Sequence, residues 1–227
     1  YKNDQVTTLE LWVPSSVHEK NKNNDVDKPE ISARSALVYD LTTDKILFEK
    51  NSSQKLPMAS LTKIMTAIIA LENYNKDDKL RVRKEDLVGE NSMGLSNGEV
   101  LTVQELLYGI ILLSGNDAAE TIANNYSGGR VEFIKAMNNK TKSLWLSSTN
   151  FTNPTGLEGD GRQYTTVYDL LAITKHAMRF ELFRKVVSTL EYSIEQKEHH
   201  KAFYLQNETN LLTSYPGVLG VKTGFTP

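Results

Sequence analysis

The sequence predicts a mixed α/β chain, on three observations. A β-favouring run, Ala36 to Tyr39, is followed after a turn by a second, Lys45 to Phe48. From Leu61 onward, apolar residues recur with helical spacing in several blocks. Near the end, Val218 to Phe225 reads as a strand, so the order is strands, several helices, then a returning strand.

The elements follow in order. Leu9, Leu11 and Val13 alternate with Glu10 and Trp12, which suits one short strand, and Asn21 to Pro29 is a polar run that reads as a solvated linker. Residues 1–30 are therefore expected to be an extension and 31–227 the folded domain. Asp40 to Asp44 supplies the turn of a hairpin, and Pro57 breaks the chain ahead of a long helix. In that helix Leu61, Ile64, Met65, Ile68 and Ile69 share one face, with Ser60 in or beside the N-cap. A second helix is predicted over Val103 to Leu113, interrupted by Ser114-Gly115-Asn116. A third begins at Asp117, with Asp117 and Glu120 at capping-box spacing and Gly128-Gly129 as its end. Val131 to Leu146 and Thr166 to Phe180 are further helices around a Pro- and Gly-rich loop, Asn153 to Arg162. Tyr215-Pro216-Gly217 is a turn before the last strand.

Composition narrows the function. At about 150 residues per domain, 227 residues amount to roughly one and a half domains, enough for a real core without staples. Lys and Arg number 26 against 28 Asp and Glu, a net charge of −2, which lacks the basic excess of a nucleic-acid binder. The absence of cysteine excludes disulfides, thiol catalysis and thiolate metal sites. The longest apolar run, Ile64 to Leu71, contains Thr66 and falls well short of the roughly 18 residues of a membrane span. No H-E-x-x-H, Walker A loop or G-x-G-x-x-G occurs. His199 and His200 are adjacent, point in different directions, and read as solvated surface.

Three short elements carry chemistry. In Ser60-Leu61-Thr62-Lys63, helical spacing puts the hydroxyl and the amine on one face, so a neutral lysine can serve as base to the serine. Bringing a lysine from about 10.4 to near 7 takes roughly 4 kcal/mol, from burial and a second cation. Taken alone, Ser60 reads as an ordinary N-cap and Lys63 as a surface residue, and Ser52-x-x-Lys55 matches the same pattern. Ser114-Gly115-Asn116, at a helix–helix junction, presents two polar side chains, or else is a C-cap followed by an N-cap; Ser148-Thr149-Asn150 is its decoy. Lys222-Thr223-Gly224 puts a cation and a hydroxyl beside a strand glycine, which suits a carboxylate lying close to the backbone, or else marks a bulge on an edge strand.

The order S-x-x-K, S-x-N, K-T-G, each in a fitting context, resembles the penicillin-recognising serine enzymes, and within them the low-molecular-mass penicillin-binding proteins, serine-type D-alanyl-D-alanine carboxypeptidases. Local similarity extends to Pro57–Thr66, Ser114–Ala118, Asn153–Leu157 and Tyr215–Gly224, and covers Ile31 to Pro227. The resemblance implies a β-lactamase/transpeptidase-like fold, a sheet flanked by helices beside a mostly helical lobe, with the site between them. It implies Ser60 as nucleophile and Lys63 as its base. Ser114 would pass a proton to the leaving D-alanine, and Asn116 would bond Lys63 and the substrate amide. Lys222 and Thr223 would bind the terminal carboxylate, Gly224 would let substrate lie along the strand, and the N–H groups of Ser60 and Phe225 would form the oxyanion hole.

The implied reaction is removal of the terminal D-alanine from peptidoglycan stem peptides, blocked by β-lactams, with no metal, organic cofactor or nucleic acid. Family members are exported and continue past the Lys-Thr-Gly strand with further strands. The chain is accordingly expected to have lost a leader, to lack C-terminal strands, and to leave room for anchoring beyond Pro227. A D,D-endopeptidase would carry the same motifs. A class A β-lactamase would need an E-x-x-L-N element, and the nearest string, Glu120 to Asn124, is too early and has Ala123 in place of Leu. A non-catalytic penicillin sensor would be expected to lose Lys63 or the Lys222 element, and both are present.

Overall fold

The computed structural model describes residues 29–157 and 161–225. The strand expected over Leu9 to Val13 and nearly all of the polar linker lie outside them.

Strands β1 (Ala36–Asp40) and β2 (Lys45–Lys50) form the predicted antiparallel hairpin, with Ala36 opposite Lys50 and Asp40 opposite Lys45. After a 3-10 turn at Ala59–Leu61 comes α1 (Thr62–Asn73). The helix is the hub of the fold: Thr62 to Ala70 are all buried, and it packs against α2 (Val103–Leu112), α3 (Asn116–Asn125), α4 (Gly129–Ser143) and α5 (Val167–Ala177). Ile64, Met65, Ile68 and Ile69 are at most 2% exposed, and each such side chain contributes roughly 1.5–3 kcal/mol by burial. Apolar spacing predicted one buried face, but from Thr62 to Ala70 the helix is enclosed all round, and only its last turn reaches solvent. Its polar residues survive because each finds a partner: Thr66 Oγ1 donates to the Pro154 carbonyl at 2.6 Å, and Gln163 Nε2 donates to Thr62 Oγ1 at 3.0 Å.

Around this hub sit α6 (Glu181–Val187), α7 (Leu211–Ser214) and two further antiparallel ladders, β3 (Lys79–Arg81) with β4 (Val100–Thr102) and β5 (Glu191–Ile194) with β6 (Phe203–Gln206). The hairpin β1–β2 lies on α5, and α2 contacts α6, β5 and β6. Helix α2 starts in a full capping box: Thr102 Oγ1 accepts from Glu105 N, and the Glu105 carboxylate accepts from Thr102 N at 2.8 Å. Among the described residues no helix is long and apolar enough to cross a membrane.

Several expectations need correction. The placing of Ser60 is not among them: it stands inside the 3-10 turn, beside Leu61, which holds the N-cap position of α1. Asp117 does not form a capping box with Glu120. Gly115 is the N-cap of α3, the Asp117 carboxylate turns back to accept from Ser92 Oγ, Met93 N, Gly94 N and Leu95 N, and Glu120 pairs with Arg130 at 2.7 Å. Gly128 does not end α3, which stops at Asn125. It adopts φ +83° as the N-cap of α4, with Gly129 the first residue of that helix. Val218 to Phe225 forms no ladder; a strand exists only against a partner, and among the described residues this segment has none.

Candidate active site

The turn that carries Ser60 is held from below. Ala59 adopts φ +48°, the left-handed region, which disfavours any side chain. Gly156, at φ +92°, lies directly against it: a β-carbon there would stand 1.9 Å from the Ala59 carbonyl oxygen and 2.9 Å from Ser60 N. Only glycine permits this approach. The loop that delivers Gly156 is organised by one side chain. Asn153 Oδ1 accepts from Thr155 N, Thr155 Oγ1 and Gly156 N, while Asn153 Nδ2 donates to the Leu157 carbonyl at 2.8 Å.

Lys63, the second residue of α1 and one turn beyond Ser60, is wholly buried. Its Nζ lies 3.0 Å from Ser60 Oγ and donates to the Thr155 carbonyl at 2.6 Å. Burial, and next to it the charge of Lys222, lowers this amine to about 7, although Glu208, Asp117 and Glu120 act against the shift. A good fraction of Lys63 is therefore unprotonated at neutral pH, with a lone pair free for the serine proton. Neither the burial of Lys63 nor the shared turn was needed for the S-x-x-K match, and together they separate it from the exposed decoy Lys55.

The corner between α2 and α3 carries the second motif. Gly115 N donates to the Gly109 carbonyl at 3.0 Å, and Asn116 N to the Asn91 carbonyl at 2.7 Å, fixing the corner on both sides. Ser114 is forced to φ +56°. Ser114 and Asn116 are at most 2% exposed, yet Ser114 Oγ and Asn116 Oδ1 have no hydrogen-bond partner. A buried polar atom left unpaired costs about 1–3 kcal/mol, so two at one corner mark a place where a partner arrives from outside. The first turn of α3 lies within electrostatic reach of Lys63.

The third motif runs past the Ser60 turn. A β-carbon on Gly224 would stand 3.2 Å from Leu61 Cγ and 3.4 Å from both Leu61 N and Met58 O. Lys222 is partly buried and its amine is lowered to about 8 by burial; it donates to the Thr223 carbonyl at 2.9 Å. Thr223, Gly224 and Phe225 are exposed, Phe225 at 85%. The structure thus brings the Lys222–Gly224 segment to the Ser60–Lys63 turn, although the segment is not a strand.

Sequence reasoning gave no role to the Thr155 carbonyl, Gly156 or Asn153, although Asn153-Pro154-Thr155-Gly156-Leu157 stood out as a local similarity. It also misread His200, which is buried, with Nδ1 on the Lys201 carbonyl at 2.8 Å and Nε2 3.8 Å from Glu105 Oε1, whereas its neighbour His199 is exposed as expected. Among the described residues no three His, Cys, Asp or Glu side chains gather as metal ligands.

A serine and a buried lysine on one turn, with a Ser-x-Asn corner and a Lys-Thr-Gly segment near it, is the arrangement by which the sequence resembles the penicillin-recognising serine enzymes. The chain belongs to the peptidase S11 family, D-alanyl-D-alanine carboxypeptidase, which matches residues 22–227. It is 40% identical over 200 residues to D-alanyl-D-alanine carboxypeptidase DacF of Bacillus subtilis, covering 86% of this chain but 51% of that one. It is 30% identical over 228 residues to a D-alanyl-D-alanine endopeptidase of Escherichia coli, covering 95% of this chain and 70% of the other. The crystal structure of the Streptomyces K15 DD-transpeptidase superposes with a TM-score of 0.83 at 34% identity, over 89% of this chain and 83% of that one. The chain thus spans about half the length of the Bacillus relative, and the mixed helix-and-strand fold is that of the transpeptidase.

Proposed function

We propose that the protein is an exported serine D,D-carboxypeptidase that removes the terminal D-alanine from peptidoglycan stem peptides. The observation that carries this reading is the 3.0 Å contact between Ser60 Oγ and a buried Lys63 amine lowered to about 7. Lys63 takes the Ser60 proton as Oγ attacks the carbonyl of the penultimate D-alanine. The Thr155 carbonyl holds the amine in place meanwhile. The N–H groups of Ser60 and Phe225 receive the developing oxyanion, worth roughly 3–4 kcal/mol per donor in comparable enzymes.

Collapse of the intermediate breaks the C–N bond. Ser114 passes the proton to the departing D-alanine amine, which gives its unpaired, buried hydroxyl a partner. Asn116 Oδ1 accepts from Lys63 or from the substrate amide. Lys222 and Thr223 bind the terminal carboxylate, and Gly224 admits the substrate backbone beside the Ser60 turn. Water then hydrolyses the acyl-enzyme and restores Ser60. A β-lactam offers the same carbonyl and carboxylate and acylates the same oxygen. The E. coli relative named as an endopeptidase supports a second reading, cleavage of D,D cross-links with the same machinery.

Release of free D-alanine from a peptide ending in Lys-D-Ala-D-Ala tests the first reading. Cleavage confined to cross-linked dimers would favour the second.

A further inference from the structure

The reaction above gives no part to Asp117, a carboxylate beside the Ser-x-Asn corner that is 1% exposed. It is held by hydrogen bonds. Oδ1 accepts from Met93 N at 3.0 Å and Ala118 N at 2.9 Å, and Oδ2 from Ser92 Oγ at 2.5 Å, Gly94 N at 3.1 Å and Leu95 N at 2.9 Å. Four of these five donors lie 22 to 25 residues earlier in the chain. The same loop takes the Asn116 N–H on the Asn91 carbonyl at 2.7 Å. A β-carbon on Gly115 would stand 3.1 Å from Asp117 Oδ1 and 3.3 Å from Met93 N, so the loop also closes on the residue between Ser114 and Asn116.

Ser114 needs such support. Its φ of +56° is strained for a residue with a β-carbon and persists only where the surroundings impose it. Its buried hydroxyl has no hydrogen-bond partner to hold it. The restraint comes from the three residues after it, and through Asp117 from the Ser92–Leu95 backbone.

We propose that Asp117 is a positioning residue: its carboxylate clamps the Ser92–Leu95 backbone and so holds the Ser114 hydroxyl where it protonates the leaving nitrogen. The inference rests on the role given to Ser114 in the carboxypeptidase reading. The leaving group supplies the test. When the C–N bond breaks, its electron pair stays on nitrogen, and the amine departs only with a proton from Ser114, balanced by the one Lys63 took from Ser60. In a thioester analogue, with sulfur in place of that nitrogen, the pair leaves as a thiolate and needs no proton. Ser60 attacks both, so a change at Lys63 or a loss of folded protein falls on both alike. In the full-length protein, Asp117→Asn should lower kcat/KM about thirtyfold for the peptide and less than about threefold for the thioester. Ser92→Ala, which removes one donor and keeps the carboxylate, should move the same ratio by about threefold. In a Ser114→Ala background, Asp117→Asn should leave the ratio unchanged, because no hydroxyl is left to position. Equal losses on both substrates, or the same change of ratio with and without the Ser114 hydroxyl, would overturn the proposal. A wild type that releases no D-alanine would instead overturn the carboxypeptidase reading. Acylation by a penicillin, whose amide nitrogen also takes the proton, would then replace the peptide in the same comparison and decide the role of Asp117.

Discussion

Gly156 passes so close to Ala59 that a β-carbon on it would lie 1.9 Å from the Ala59 carbonyl oxygen. The contact links the Asn153–Leu157 loop to the turn that presents Ser60, and the same loop supplies the carbonyl that holds Lys63. One loop therefore positions both the proposed nucleophile and its base, from about ninety residues away along the chain.

Gly156→Ala should disrupt that geometry. The obstacle is backbone, which cannot swing aside, and the φ of +92° is itself unfavourable to alanine. A loss of about 3 kcal/mol or more is expected, read by denaturant unfolding. The rate of β-lactam acylation should fall at least about tenfold in whatever protein remains folded. An unaffected variant would show that the loop is not the support.

The pH profile should be narrow. Turnover needs Lys63 neutral and Lys222 charged, so kcat/KM should rise with pH through about 7 and fall through about 8. Lys222→Gln removes a cation that helps lower Lys63, so the acid limb should move to higher pH while the alkaline limb disappears. A profile flat between about pH 6 and about pH 9 would contradict the assignment of both lysines.

Lys63 should also leave a mark on stability. Its amine is near 10.5 in the unfolded chain and about 7 in the fold, so below pH 7 burial costs up to roughly 5 kcal/mol. The unfolded chain binds the extra proton between those values, so this cost lessens as pH rises from about 7 to about 10.5. Lys63→Met should abolish activity. It should also raise stability near neutral pH by about 2 kcal/mol, after allowing for the orphaned Thr155 carbonyl, with the gain shrinking towards pH 10. Urea titrations at several pH values would show it; a gain that grows with pH would contradict it.

Ser114→Ala separates stability from activity in another way. The buried hydroxyl has no partner in the unliganded fold, so its loss should leave the melting temperature unchanged or slightly higher. The acylation rate on peptide substrates should fall by about a hundredfold. A large drop in melting temperature would mean the hydroxyl has a structural partner.

Much of this was legible in the sequence. The β1–β2 hairpin and helices α1, α2 and α5 follow from apolar spacing and turn residues, because burial acts directly on those patterns. The short ladders β3–β4 and β5–β6 were not, since strands of three or four residues carry too little alternation. Ser60, Lys63, Ser114, Asn116 and Lys222 were legible as motifs. Their environment was not, because the left-handed Ala59, the Gly156 contact and the burial of Lys63 arise from residues distant in sequence. Asp117 shows the same limit: its spacing to Glu120 suggested a cap, but tertiary contacts with Ser92 to Leu95 took its carboxylate.

The central claim is that Ser60 is the acylated residue. Incubation with a penicillin, then intact-mass and peptide mass spectrometry, tests it most directly. The account predicts one adduct per chain, carried on the peptide that contains Ser60, and none in Ser60→Ala. An adduct on any other residue, or undiminished labelling of Ser60→Ala, would contradict it.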